Sequence, residues 1–129
     1  RIFKDIRIAS RDDGNLFDAS VLAALKALQE AKFPKIVNDK VDHESKTSNG
    51  LKLNRLPILT TLYKIGGNIL VDVNNKEEQV IDSRLSVSIA DGNIHALQKG
   101  GDIPLSVDDI SKMVEIAIKK EKELVKFLK

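Results

Sequence analysis

The chain has 129 residues, 42% of them hydrophobic but with no Trp and little aromatic content, so it is one domain, or a tight part of one, whose core must be Leu, Ile, Val and Ala. Twenty-one basic residues against nineteen acidic ones leave a net charge of +2, too balanced to argue nucleic-acid binding from charge alone. The lack of cysteine excludes a disulfide framework and a thiolate metal site, and with no signal peptide or apolar run of spanning length in view, a soluble cytoplasmic protein with no membrane partner is expected.

The chain opens at Arg1 and not at Met, within residues 1–10, which read as a strand with Ile2, Ile6 and Ile8 on one face. A processed, split or truncated product is expected, with something missing upstream. Asp13-Gly14-Asn15 reverses the chain. A long helix follows over residues 16–32, with Asn15 or Asp18 capping its first turn and with Phe17, Val21, Ala24, Leu25 and Leu28 recurring at helical spacing. Its opposite face carries no charge over residues 19–25, so cover on both sides is expected, by the sheet and by a second layer or another chain. Helix amino ends bind anions readily, but Asp12, Asp13 and Asp18 crowd this one and would repel phosphate. Pro34 stops the helix.

Residues 35–37 read as a short strand, and residues 38–50, polar and without periodicity, as a mobile surface loop. A short edge strand is expected over 51–53 and a longer one over 57–65. Gly66-Gly67-Asn68 makes a hairpin turn into a strand over 69–73. Residues 74–79 read as a polar loop. Residues 84–90 alternate, with Leu85, Val87 and Ile89 inward and Ser86 and Ser88 outward. Asp91-Gly92-Asn93 turns the chain into a strand over 94–98, which Gly100-Gly101 ends. Ser106-Val107-Asp108-Asp109 reads as a capping box. It opens a last helix that runs to about Phe127, with Ile110, Met113, Val114, Ala117, Leu124 and Leu128 on one face. The expected fold class is α+β, with two helices packed on a mostly antiparallel sheet.

Three carboxylates stand at strand ends or in nearby loops: Asp72, Glu78 and Asp82. Asp72 and Glu78 would suit a divalent metal or general-acid chemistry. Equally, Asp72 caps a turn, Glu77 and Glu78 face solvent, and Asp82 pairs with Arg84. His43 and His95 have no partner at ligand spacing. Gly66-Gly67 and Gly100-Gly101 are adequately explained as turns, since no phosphate-loop pattern surrounds them. The lysines of the last helix could touch RNA phosphates, but interleaved with Glu115, Glu121 and Glu123 they read better as a solvated face. On these grounds alone the chain has a fold class and no activity.

Two segments read together add a resemblance. One is Asp13-Gly14-Asn15-Leu16-Phe17-Asp18-Ala19-Ser20 with the Ala/Leu helix behind it. The other is Ile69-Leu70-Val71-Asp72-Val73, then Glu77-Glu78, then Asp82-Ser83-Arg84. With Leu97-Gln98-Lys99-Gly100-Gly101 ahead of the last helix, nearly the whole chain resembles the second half of an RNase PH-type subunit. In particular it resembles the non-catalytic ring subunit of the archaeal RNA exosome. The resemblance implies a single C-terminal-type domain over residues 1–129, with the amino-terminal half of the family fold absent.

In active members of that family, inorganic phosphate cleaves nucleotides from an RNA 3′ end. The phosphate is held at the start of the equivalent helix by a Gly-Thr/Ser-Arg-Ser/Thr-like run, whose matching positions here are Asn15, Leu16, Phe17 and Asp18. The arginine and hydroxyl donors are gone and an acid has arrived. The family's paired aspartates match Asp72, which is kept, and Glu78, a longer carboxylate. The resemblance therefore implies vestigial carboxylates, a degenerate phosphate site and no catalytic residue, cofactor or metal. It also implies partners: a catalytic RNase PH-type paralogue in a ring of three heterodimers, RNA, RNA-binding cap subunits and a separately encoded or removed amino-terminal half. The alternatives are an active phosphorolytic exoribonuclease using Asp72 and Glu78, or a free-standing small-ligand α+β domain.

Overall fold

The structure, a computed structural model, describes residues 6–7 and 13–128, so nearly all of the strand expected over residues 1–10, and Asp12, lie outside the described residues. In order, it contains helix α1 (Leu16–Glu30), strands β1 (Lys32–Val37), β2 (Lys40–Gly50), β3 (Ile58–Ile65) and β4 (Asn68–Val71) and the short helix α2 (Asn75–Glu78). Strands β5 (Ser83–Ala90) and β6 (Asn93–Gly100) follow, then helix α3 (Val107–Leu124) and a 3₁₀ turn (Val125–Phe127). Strands β3 to β6 form one antiparallel sheet in the order β4-β3-β5-β6, and β1 and β2 pair separately. The α+β class is as expected.

Apolar alternation places the core. Leu62 pairs with Leu85, Thr60 with Val87 and Ile58 with Ile89 across β3 and β5, so these side chains share one sheet face. Met113 and Ala117 of α3 pack on Leu62, Leu85, Val87 and Ile89, and all six are buried. Burying a side chain of the Leu or Ile class stabilises by roughly 1.5–3 kcal/mol, so this seam anchors the domain. A second cluster joins Leu25 of α1 to Ile58 and Leu128, with Val21, Leu22 and Leu124 against it. It ties α1 to the carboxy end of α3.

Polar anchors fix the start of α3. Ser106 Oγ accepts from Asp109 N–H, and Asp109 Oδ2 accepts from Ser106 N–H, which is the expected box. The same Asp109 oxygen accepts from Lys64 Nζ at 2.6 Å, joining β3 to the helix. The Lys64 ammonium first, then the Ser106 hydroxyl and amide, holds the Asp109 carboxyl down at about 2. A carboxyl whose folded pKa is depressed contributes stability above the ordinary Asp range and loses it as pH falls through its folded value. Asp109→Asn is therefore expected to narrow its gap from the wild type as pH falls from about 4 to about 2. Circular dichroism of urea unfolding at stepped pH measures that gap.

Several elements differ from the expectation. Helix α1 ends at Glu30, before Pro34, which lies inside β1. Residues 40–50 are not a loop but β2, antiparallel to β1, with Val37 paired to Lys40 across Asn38-Asp39. Both turn residues have positive φ, 49° and 60°, as a two-residue type I′ turn requires and as Asn and Asp tolerate. Every residue of β1 is exposed and no residue of β2 is buried, so no buried face imposed an alternation that could be read. Residues 51–57 carry no strand. Residues 75–78 are helical because Asn74 Oδ1 accepts from the Lys76 and Glu77 amides, while Glu77 Oε2 accepts from Asn74 N–H.

Ser86 is buried and not outward, because its face of the sheet is covered beside the start of α1. The outer face of α1 is open: Leu16, Phe17, Ala19, Ala23 and Ala27 are exposed. The cover expected there does not come from the described residues. None of their helices is long and apolar enough to cross a membrane.

Candidate functional site

Strand β4 stops at Val71 and pairs only with the second half of β3, residues 62–65. The amide of Thr61 therefore has no strand partner on that side, and α1 supplies one. Thr61 N–H donates to Asp18 Oδ2 and Thr61 Oγ1 donates to Asp18 Oδ1, both at 2.7 Å. Because the Thr61 hydroxyl proton goes to Asp18, Ser86 Oγ, 2.9 Å away, donates to Thr61 Oγ1. One carboxylate thus fastens the first turn of α1 to β3, and the Thr61 hydroxyl links it on to Ser86 of β5. Burial is the largest influence on Asp18 and raises its pKa; the Thr61 donors pull it back, and the Asp72 charge adds a smaller upward push. Asp18 does not cap its own helix, as had been one expectation.

Neither does the side chain of Asn15, the N-cap residue, which has φ 50° and makes no side-chain cap bond. Its groups are turned to the carboxylates of Asp72 and Glu78. Asn15 N–H donates to Glu78 Oε1 at 3.0 Å, and Asn15 Nδ2 donates to Asp72 Oδ1 at 3.1 Å. Tyr63 OH donates to the same Glu78 oxygen at 3.3 Å. Burial first, and then the Glu78 charge, pushes the Tyr63 hydroxyl up to about 12, so it remains a donor at neutral pH. Helix α2, capped by Asn74, swings Glu78 into this position.

Gly14 makes the approach possible. It has φ +100°, and a Cβ there would meet the Val73 carbonyl oxygen and come within 2.9 Å of the Asn74 carbonyl carbon. The turn before α1 and the loop after β4 are thus in backbone contact.

The structure brings Asn15, Asp18, Asp72 and Glu78 into one cluster. Leu16 and Phe17 flank it, 37% and 53% exposed, and their side chains offer no donor to an anion. At the amino end of α1, the amide of Asn15 already holds a carboxylate of the same chain. A helix amino end favours a negative group, and Glu78 is that group. The arrangement has the form of an anion site filled from within. Glu78 does not face solvent freely, and Asp82 accepts from Gly66 N–H at 2.8 Å, which replaces the expected pairing with Arg84. His43 lies in β2 and His95 in β6, both exposed and away from the cluster. Among the described residues no three acidic or histidine side chains are placed to hold a metal ion.

Thr61, Tyr63 and Gly14 were missed as members of the site. Gly14 stood in the turn signal, but a long-range contact with Val73 leaves no local trace. Thr61 and Tyr63 read only as strand formers. A cavity of about 350 Å³ opens beside the cluster, between α1 and the end of α3, bounded by Asn15, Asp18, Leu22, Thr60, Asp72 and Leu124.

Residues 55–120 match the family described as "3' exoribonuclease family, domain 2". The exosome complex component Rrp42 of Methanothermobacter thermautotrophicus is 37% identical over 130 residues, which covers 98% of this chain and 48% of that protein. The component of the same name from Thermococcus gammatolerans is 38% identical over 136 residues, again 98% of this chain and 48% of the relative. Among solved structures, a chain of an archaeal exosome core superimposes with TM-score 0.80 at 30% identity, over 92% of this chain and 47% of that one. A chain of the Archaeoglobus fulgidus exosome with RNA bound to the active site gives 0.77 at 31% identity, over 92% of this chain and 45% of that one. The chain spans about half the length of the curated relatives it matches. It belongs to the 3′ exoribonuclease family, and its sheet with α3 is built as that family's second domain.

Proposed function

We propose that this chain is a non-catalytic structural subunit of a phosphorolytic 3′–5′ exoribonuclease ring of the exosome type. In this reading it pairs with a catalytic RNase PH-type paralogue, three such pairs close a hexameric ring, and the chain completes the RNA path without cutting RNA itself. It corresponds to the second domain of the family, so its working form stands beside a first domain, on the same polypeptide or supplied separately. The likeness to exosome components supports the assembly part.

The observation that carries the non-catalytic part is the bond from Asn15 N–H to Glu78. Phosphorolysis needs a phosphate nucleophile held beside the RNA end. Where that anion would bind, this chain presents Glu78, Asp18 and Asp72, with the two apolar side chains Leu16 and Phe17 alongside. Electrostatic stabilisation of a phosphoryl transition state needs donors or cations facing the developing charge, and carboxylates do the opposite.

The purified chain, given single-stranded RNA, phosphate and Mg²⁺, is expected to release no nucleoside diphosphate. The mixture with its catalytic paralogue is expected to be active and to migrate as one ring on gel filtration. Nucleoside diphosphate release by the lone chain, abolished by Asp72→Ala, would overturn the reading.

A further inference from the structure

On α3 the buried stripe runs Met113, Ala117, Glu121, at 0%, 0% and 7% exposed. The third position is acidic where the helical period calls for an apolar residue. Buried carboxylates are normally paired or hydrogen-bonded, because removal from water penalises an isolated charge. Among the described residues, Glu121 makes neither a hydrogen bond nor an ion pair through its side chain, and while the residue is buried its carboxylate oxygens are not sealed off from solvent. It lines a cavity of about 190 Å³ whose walls include Leu53, Leu56 and Val125 and whose other charged lining residues, Asp91 and Arg55, are exposed. This cavity is distinct from the Asn15–Glu78 cluster and shares no residue with it.

We propose that this cavity binds a single cationic group, a primary ammonium or a guanidinium, with the Glu121 carboxylate as its counter-ion. Three apolar side chains suit the methylene stem of a lysine, an arginine or an alkylamine, which packs on apolar surface while its charged end meets a carboxylate. Asp91 adds a second negative charge, so with Arg55 counted the cavity still carries an excess of one. An anion would face Glu121 directly. A divalent metal ion would need six or more oxygen ligands, more than Glu121, Asp91 and the Asn54 side chain supply. The volume admits one long cationic side chain or one end of a polyamine. Arg55 forms no ion pair among the described residues and lies where it would compete with an incoming cation.

The test is a titration of the ¹⁵N-labelled chain at low ionic strength with two probes, spermidine and a short lysine-bearing peptide. The expected result is a saturating shift of the Leu53, Leu56, Asp91 and Glu121 amides with at least one probe. Saturation by spermidine alone identifies a free polyamine as the source, and saturation by the peptide identifies a partner's side chain. Glu121→Gln is expected to weaken that binding at least tenfold, and Arg55→Ala to leave it unchanged or strengthen it. Failure of both probes, shifts spread over other acidic surfaces, or unchanged binding in Glu121→Gln overturns the proposal. If Glu121→Gln does not fold, Asp91→Asn takes its place, with a several-fold loss expected and an unchanged affinity overturning it.

Discussion

Asp18→Ala is expected to destabilise the chain by about 2–3 kcal/mol, because it removes both bonds to Thr61 and leaves the buried Thr61 amide without an acceptor, while the hydroxyl can only turn its proton to Ser86 Oγ. The loss is smaller than two charge-assisted bonds would suggest, since the variant also escapes the burial penalty that raises the Asp18 pKa. Asp18→Asn separates the two contributions. Its carbonyl can still accept from Thr61 N–H and its amide can donate to Thr61 Oγ1, so about 1 kcal/mol is expected.

The pH dependence follows from the direction of the shift. An acid whose folded pKa is raised binds its proton more tightly when folded. Its contribution is fully present below the ordinary Asp value and is lost as pH rises through the raised one. The stability of the wild type relative to Asp18→Asn should therefore fall as pH rises from about 4. Urea midpoints for the two proteins at stepped pH measure this, and a difference that grows with pH would contradict it.

Gly14→Ala is expected to cost about 2–4 kcal/mol and to open the cluster as well. At φ +100° an L side chain is strained whatever the space, and here the added carbon also meets the backbone of Val73 and Asn74. Relief requires the turn before α1 to part from the loop after β4. That movement would separate Asn15 from both Asp72 and Glu78. The expected signature is a lowered urea midpoint together with a displaced Asn15 amide resonance. A full loss of stability with the Asn15 resonance unmoved would mean that the strain is absorbed elsewhere.

These two residues also mark how far the sequence could be read. The sheet was legible because one face of it is buried: Leu85, Val87 and Ile89 alternate with serines, and the turns at Gly66-Gly67 and Asp91-Gly92 carry their own chemistry. The capping box at Ser106 was legible for the same local reason. The β1–β2 hairpin was not, because neither of its strands has a buried residue and its only local mark is the pair Asn38-Asp39. Helix α2 was hidden in a polar run whose cap, Asn74, looks like any loop asparagine.

For the site, the family resemblance pointed to Asn15, Leu16, Phe17, Asp18, Asp72 and Glu78 as positions. The acids expected near the helix start are there in Asp13 and Asp18, and whether they repel phosphate is what the proposed reading turns on. What the sequence could not give is how these groups are held. Asp18 is committed to Thr61, 43 residues away, and Asn15 to Glu78, 63 residues away. Such pairings depend on where β4 stops and on the backbone contact at Gly14. Glu121 shows the opposite failure: its charge suggested a solvated helix face, while the register of α3 places it in line with Met113 and Ala117.

The most direct measurement of the central claim is a crystal of the chain grown or soaked in phosphate. With Glu78 accepting from Asn15 N–H, no ion is expected against the amides of residues 15–18, and the Asn15–Glu78 bond at 3.0 Å should persist. A phosphate seated on those amides, with the Glu78 carboxylate turned away, would contradict a site filled from within and with it the inert role proposed for this chain.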